Sequence, residues 1–311
     1  MTRLAVLADV HANLPALEAV IEDIRQHRVD GIIAAGDYLT SGPHPVEVVR
    51  RLRNIGARMI RGNAEGYFLA YHRGDAPEPW FTSHQWAALR WSYRQLDGET
   101  LDFIAGLPDQ RAIQQDGAAP IRVVHGSPRS TSERLFPRDD RIALGWFREA
   151  GLLPLEGSPP RLSEVLATVA ETVLVCGHTH IPWVETHGPR LALNPGAVSL
   201  AFNRDARAHY ALLIWDGDRW RVEHRAVPYD LDRVRKAFHR SGFLAEGGPF
   251  ARAALLNVQS ARNALGYLYW HIDRLAAEAG LGEWDAVPDT LWDRAIASFN
   301  WDAYGDDTQP E

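Results

Sequence analysis

With 311 residues, of which 46% are hydrophobic and 23% charged, the chain has the composition of a soluble globular protein and can build one large domain or a domain with an appendage. A net charge of −7 argues against a nucleic-acid backbone as the main partner, and the single cysteine, Cys176, excludes an intramolecular disulfide. No apolar run reaches the roughly 18 residues of a membrane span, and the opening residues turn charged too soon for a secretory signal, so a cytoplasmic protein is expected.

Leu4 to Ala8 reads as a buried strand that ends in Asp9-Val10-His11. On extended backbone a carboxylate and an imidazole two residues apart project to one side, the placement a metal ion needs; the same stretch also suits a helix start, with Asp9 or Asn13 as cap ahead of Pro15. Pro15 to Arg28 carries Leu17, Val20, Ile21 and Ile24 at helical spacing. A second strand, Gly31 to Ala35, ends in Gly36-Asp37, and after a helix at Pro45 to Leu52 a third, Ala57 to Ile60, ends at Gly62-Asn63. This alternation predicts parallel strands with functional groups gathered at their carboxyl ends.

Tyr67 to Leu107 reads as a helical insertion whose aromatic residues, Trp80, Trp86, Trp91 and Tyr93, serve packing, with Thr82 or Ser83 and Asp97 or Gly98 as caps. Strand Ile121 to Val124 then ends in His125-Gly126. A loop at Leu153 to Pro160, a helix at Ser163 to Ala170 and a strand at Thr172 to Cys176 lead to Gly177-His178-Thr179-His180. Cys176 lies inside that apolar strand and reads as core. Ile181 to Glu185, Leu191 to Leu193, Tyr210 to Trp215 and Trp220 to Val227 read as antiparallel strands, the last two joined by a turn at Asp216-Gly217. From Asp230 to about Asn300 the pattern is helical, and Gly305 to Glu311 reads as a loose tail.

Five apolar runs thus end in possible metal ligands: Asp9 and His11, Asp37, Asn63, His125, and His178 with His180. Seven nitrogen and oxygen donors are too many for one tetrahedral zinc and suit two ions sharing a bridging carboxylate. Mixed His, Asp and Asn ligation favours Mn, with Fe or Zn as alternatives, over Mg or Ca.

The series Asp9-Val10-His11, Gly36-Asp37, Gly62-Asn63-Ala64-Glu65, His125 and Gly177-His178-Thr179-His180 resembles the motifs of the calcineurin-like metallophosphoesterases. Gly42-Pro43-His44-Pro45, Asn194-Pro195-Gly196-Ala197-Val198 and Val227-Pro228-Tyr229-Asp230 extend the resemblance to the small bacterial and archaeal phosphodiesterases of the YfcE type, over about residues 1–245. It implies a four-layer α+β sandwich, two mixed β-sheets flanked by helices, over a catalytic domain of residues 1–230, with residues 231–311 as a helical extension. It implies one divalent ion on Asp9, His11 and His180 and another on Asn63, His125 and His178, with Asp37 bridging and with Asp37, Asn63 and His11 as catalytic residues. A hydroxide shared by the ions would then attack phosphorus in line. The implied substrate is a phosphodiester or activated phosphomonoester, a small molecule or nucleotide.

The family's leaving-group histidine is replaced here by Ala64, with His44, Glu65 and His72 as candidate substitutes. His44, Arg129 and Arg204 are the candidate substrate contacts. The extension, with Trp270, Trp284, Trp292 and Trp301, has apolar surface enough to pack on the catalytic domain, cover the cleft or mediate self-association. The competing reading is a non-catalytic scaffold on the same fold, which retention of all seven donors disfavours. A nuclease is disfavoured by the acidic charge and by Ala64.

Overall fold

Strand β1 (Thr2–Leu7) is central to the first of two five-stranded sheets. It pairs in parallel with β2 (Gly31–Ala34), which pairs in parallel with β3 (Arg58–Met59). The second sheet takes β4 (Gln110–Ile113), β5 (Ile121–Val124), β6 (Val173–Val175), β7 (Trp183–His187) and β8 (Arg190–Asn194), in the order β4-β5-β6-β8-β7. Strands β9 (Ala208–Trp215) and β10 (Trp220–Val227) return to the first sheet, antiparallel to β1 and to each other. This computed structural model describes residues 2–152, 161–281 and 287–304. The loop expected at Leu153 to Pro160, the tail at Gly305 to Glu311 and Trp284 lie outside them.

Alternation along β1 sets the layers. Leu4, Val6 and Ala8 point into a core shared with Ile121, Val123 and Val175 of the other sheet, whereas Ala5 and Leu7 face the helices outside. Those helices are α1 (Leu14–Gln26) and α2 (Pro45–Asn54); α1 buries Leu17, Val20, Ile21 and Ile24 and is capped by Asn13, whose side chain accepts from the Ala16 amide at 3.1 Å. The insertion follows as α3 (Asn63–Arg73), α4 (Pro79–Thr82), α5 (Ala87–Gln95) and α6 (Gly98–Ala105), the last capped by Asp97 as expected. Outside the second sheet lie α7 (Arg141–Glu149) and α8 (Leu162–Ala167), over a core that includes Cys176. The architecture is the expected four-layer sandwich.

Three details depart from the sequence reading. Strand β4 was not anticipated: its first three residues, Gln110, Arg111 and Ala112, are exposed and only Ile113 is buried, an edge strand without an apolar signature. Helix α8 stops at Ala167, three residues early. Strand β8, expected to be antiparallel throughout, pairs in parallel with β6 and antiparallel only with β7.

The C-terminal part comprises α9 (Leu231–Arg240), α10 (Phe243–Glu246), α11 (Gly248–Ser260), α12 (Ala264–Glu278) and α13 (Asp289–Ser298). It packs on the insertion: Phe243 lies 4.7 Å from Trp91 of α5 and 5.4 Å from Phe238, ring centre to ring centre. The same apolar cluster holds Leu200, in the loop after β8. Phe243→Ala should therefore destabilise the protein by about 3–5 kcal/mol. Urea denaturation followed by tryptophan fluorescence and far-ultraviolet circular dichroism measures this; a partial loss of helical signal ahead of the main transition would show that these helices unfold independently.

Candidate metal centre

At the carboxyl ends of β1 and β2 the two loops are tied together by main-chain hydrogen bonds. Asp9 N–H donates to the Gly36 carbonyl at 3.1 Å, and the Val10 and His11 amides donate to that of Asp37 at 2.9 and 3.0 Å. The Asp9 and His11 backbones are not extended, as the sequence reading had it. Asp9 (φ 55°), His11 (47°), Asp37 (57°), His178 (67°) and His180 (59°) all occupy the left-handed region. For non-glycine residues each such conformation costs of order 1–3 kcal/mol and is retained where its surroundings enforce it. The strand ends turn sharply and aim their side chains at a common point. Gly36 (φ 96°) and Gly62 allow the approach: a Cβ on Gly36 would lie 2.6 Å from His125 Nδ1, and one on Gly62 2.1 Å from an Asp37 carboxylate oxygen.

The ring nitrogens converge on the carboxylates. His11 Nε2 lies 3.2 Å from His180 Nε2 and 3.8 Å from Asp37 Oδ2. His180 Nε2 is 3.4 Å from Asp9 Oδ1. His125 Nε2 is 3.1 Å from Asn63 Oδ1, 3.4 Å from Asp37 Oδ1 and 3.9 Å from Asp9 Oδ1. His178 joins through its ring, 5.3 Å from that of His125, and its amide donates to both Asp9 oxygens. Two compact donor groups result, Asp9 with His11 and His180, and Asp9 with Asp37 and His125, the donor atoms of each within 4.8 Å of one another. Both carboxylates lie between the two sets of imidazoles.

Tautomers are fixed from behind. His125 Nδ1–H donates to the Ala35 carbonyl and His180 Nδ1–H to that of Leu200, each at 2.7 Å. A neutral ring at either position therefore presents its Nε2 lone pair to other acceptors, Asn63 Oδ1 for His125 and Asp9 Oδ1 for His180. Phe202 stacks on His180 at 4.5 Å, and Thr40 is hydrogen-bonded to His11 Nδ1 at 3.0 Å. Acceptors facing acceptors in a buried site repel unless a cation lies between them, so the donor set fits divalent metal.

The charges agree. Burial depresses the His125 pKa, but the Asp37 and Asp9 carboxylates outweigh it and push it up to about 10. His180 is raised likewise, burial being overcome by Asp9. His11 is held down to about 4 by burial and by His180, and His178 to about 3 by burial and by His125. Burial works against ionisation of Asp37, yet His125 and His11 hold its carboxyl well below the usual range.

Glu65 is fully buried and cannot face a leaving group. Its carboxylate accepts from the amides of Asp37 (2.9 Å), Tyr38 (2.7 Å) and Gly62 (2.8 Å), joining the loop after β2 to the start of α3. His44 lines a separate cavity with Glu47 and Arg233, and His72 is on the helix surface, bonded to the Tyr93 hydroxyl. Arg129 is paired with Glu133 at 2.6 Å and Arg204 with Glu149. Neither arginine lines the cavity that Asn63 lines. Ala35, Leu200, Thr40 and Phe202 escaped the sequence reading; the first two act through main-chain carbonyls, which side-chain identity does not report. Glu65 three residues after the N-cap Gly62 was the one legible sign of a clamp.

A sandwich with this donor set at its strand ends defines a metallohydrolase scaffold. The profile of the calcineurin-like phosphoesterase superfamily domain matches residues 2–218, and the chain belongs to that superfamily. It is thus a metal-dependent phosphoesterase, in a family that uses divalent metals. Phosphodiesterase YfcE of Escherichia coli K12 is 24% identical over 210 residues, 64% of this chain and 81% of that protein. The uncharacterized protein MJ0912 of Methanocaldococcus jannaschii is 25% identical over 256 residues, 76% of this chain and 90% of its own. The crystal structure of a metallophosphoesterase from Sphaerobacter thermophilus superposes with a TM-score of 0.57 at 26% identity, covering 79% of this chain and 100% of the other. Among the described residues no helix is long and apolar enough to cross a membrane.

Because His125 keeps its proton up to about pH 10 when no cation is bound, metal must expel it. Mn²⁺ added to chelator-treated protein at pH 7 is expected to release protons, and its affinity to rise with pH by up to about tenfold per unit. Calorimetry in buffers of different ionisation enthalpy measures both, and proton-neutral binding would contradict the arrangement.

Proposed function

We propose that the protein hydrolyses phosphodiester or activated phosphomonoester bonds at a two-cation centre. The observation that carries this is the inward convergence of two carboxylates and three imidazole nitrogens from four separated stretches of chain. Asp9, His11 and His180 would hold one cation and Asn63, His125 and His178 the other. Asp37 lies between the two donor sets, with Oδ2 toward His11 and Oδ1 toward His125, and would be shared by both cations. Divalent ions held there, Mn in preference to Fe or Zn, supply a water activated for in-line attack on phosphorus and positive charge for the transition state.

The chain's own residues do the positioning. The Ala64 amide, at the start of α3, donates to Asp37 Oδ1 at 2.9 Å and fixes that carboxylate's rotation. Glu65 holds the Asp37 and Gly62 amides in register from below. No covalent phosphoenzyme is required, and burial pushes the Cys176 thiol up, out of reach of nucleophile chemistry. With alanine at position 64 no imidazole follows Asn63 to protonate a leaving group, a contribution of roughly 10²–10⁴-fold where it exists. Good leaving groups are therefore favoured. The relative named a phosphodiesterase supports a diester substrate, small molecule or nucleotide. Division near residue 230 into catalytic domain and helical extension belongs to this reading and is supported by a family match that ends at residue 218.

Mn-dependent release of nitrophenol from bis-p-nitrophenyl phosphate is the expected activity, with Asp37→Ala at background. Glu65→Gln sets an NH₂ group against main-chain amides and should lower turnover about 10- to 100-fold. Absence of turnover with every divalent metal would favour the scaffold reading instead.

A further inference from the structure

One wall of the donor cluster opens into a cavity of about 740 Å³, between the insertion and the C-terminal helices. Asn63 and Thr40 line its metal-side end, and both already touch the histidine cluster, Asn63 at His125 and Thr40 at His11. Whatever ester group sits at the centre therefore shares this space with its substituent. The volume is that of a typical small-molecule site, several times what a phosphate needs.

The lining is aromatic and planar. Trp80 and Trp86 of the insertion stack at 4.0 Å, and Trp270 of α12 lines the cavity while 45% exposed, an unusual position for a tryptophan with no role in the core. Gln85 lines the same cavity, is 3% exposed, and neither its Oε1 nor its Nε2 has a hydrogen-bond partner among the described residues. A buried amide left unmatched on both atoms costs stability and calls for a partner, which a bound water or a ligand can supply. Arg134, an exposed residue, lines the same space; among the described residues its hydrogen bond is to the Leu152 carbonyl, at 3.5 Å, and no carboxylate lies within ion-pair distance of it. In this it differs from Arg129 and Arg204, both already neutralised. Asp273 of α12 adds a carboxylate to the lining.

We propose that this cavity receives the nucleobase of a nucleotide ester whose phosphorus is attacked at the metal centre. A heterocyclic base offers what the lining asks for. Its faces stack on tryptophan, and its edge carries an adjacent donor and acceptor that one glutamine amide can meet in a bidentate pair, as glutamine does with adenine. Asp273 suits an exocyclic amino group, and Arg134 an anionic oxygen of the ester. An aliphatic or plain phenyl substituent would leave Gln85 unmatched, which makes the amide the discriminating group. The phosphate end of this assignment rests on the phosphoesterase reading above; the base end does not.

The test is therefore binding to the full chain treated with chelator, followed by tryptophan fluorescence and calorimetry, with adenosine, adenosine 5′-monophosphate and phenyl phosphate as probes. Adenosine and its monophosphate are expected to bind and phenyl phosphate to bind at least about tenfold more weakly. Gln85→Leu and Trp270→Ala should each weaken adenosine about tenfold or more, whereas Arg134→Gln should weaken the monophosphate and spare adenosine. Trp270 is surface-accessible, so its variant remains informative if the buried Gln85 substitution disturbs folding, which melting temperature reports. Failure of both adenosine compounds to bind, or phenyl phosphate binding as tightly, overturns the assignment. Turnover of bis-p-nitrophenyl phosphate by the Mn-loaded protein, measured alongside, separates the two readings. Adenosine binding without turnover would leave the cavity assigned and the phosphoesterase reading refuted, and turnover without binding the reverse.

Discussion

Mutual repulsion among electron pairs is the constraint around which this molecule is arranged. Nε2 of His11 faces Nε2 of His180, and Nε2 of His125 faces Asn63 and Asp37, while burial shields the three imidazoles and the Asp37 carboxylate from water. Such a group is unstable unless positive charge enters it, whether a proton, as at His125, or a divalent ion. The surrounding fold keeps the group together. Parallel β1 and β2 bring Asp9 and Asp37 side by side, and the second sheet delivers His125, His178 and His180 from the opposite layer. The apolar core between the sheets is what holds the two half-sites in register.

Support for the centre extends well outside it. Leu200 accepts the His180 Nδ1 proton through its carbonyl, and its side chain is packed among Phe238, Phe243 and Leu255 of the C-terminal helices. Arg204, a few residues on, donates its amide to the Ala261 carbonyl, and the Asn263 side chain donates to that of Ala150. One imidazole of the centre is thus oriented by a loop braced on helices more than thirty residues downstream. Those helices also wall the cavity into which Asn63 looks. Orientation of a ligand and shaping of a cleft are carried out by the same packing.

Much of this was legible in the residues. Apolar runs ending in Asp, Asn or His beside glycine announced both the strands and the side chains that converge at their ends, because strand propensity and ligand chemistry are properties of side chains. What could not be read were effects of the main chain. Nothing in Asp9, His11 or Asp37 signals a left-handed backbone, which depends on loops made after the strands pair. The carbonyls of Ala35 and Leu200 act irrespective of the side chains they carry. Strand β4 was hidden because exposed Gln110 and Arg111 resemble loop residues until β5 pairs with them. Arg129 and Arg204 looked available from sequence; only folding brings Glu133 and Glu149 to them.

The left-handed torsions at five donor positions also bear on how such a protein can change over generations. The cradle's shape is stored in its loops, so replacing one donor by another of similar reach leaves the geometry of its neighbours almost intact. Metal preference can then drift by single codon changes, whereas the helices that line the cleft can diversify only as far as the packing around Leu200 is kept, and one ancestral framework can give rise to lineages that differ in ion, in substrate, or in both.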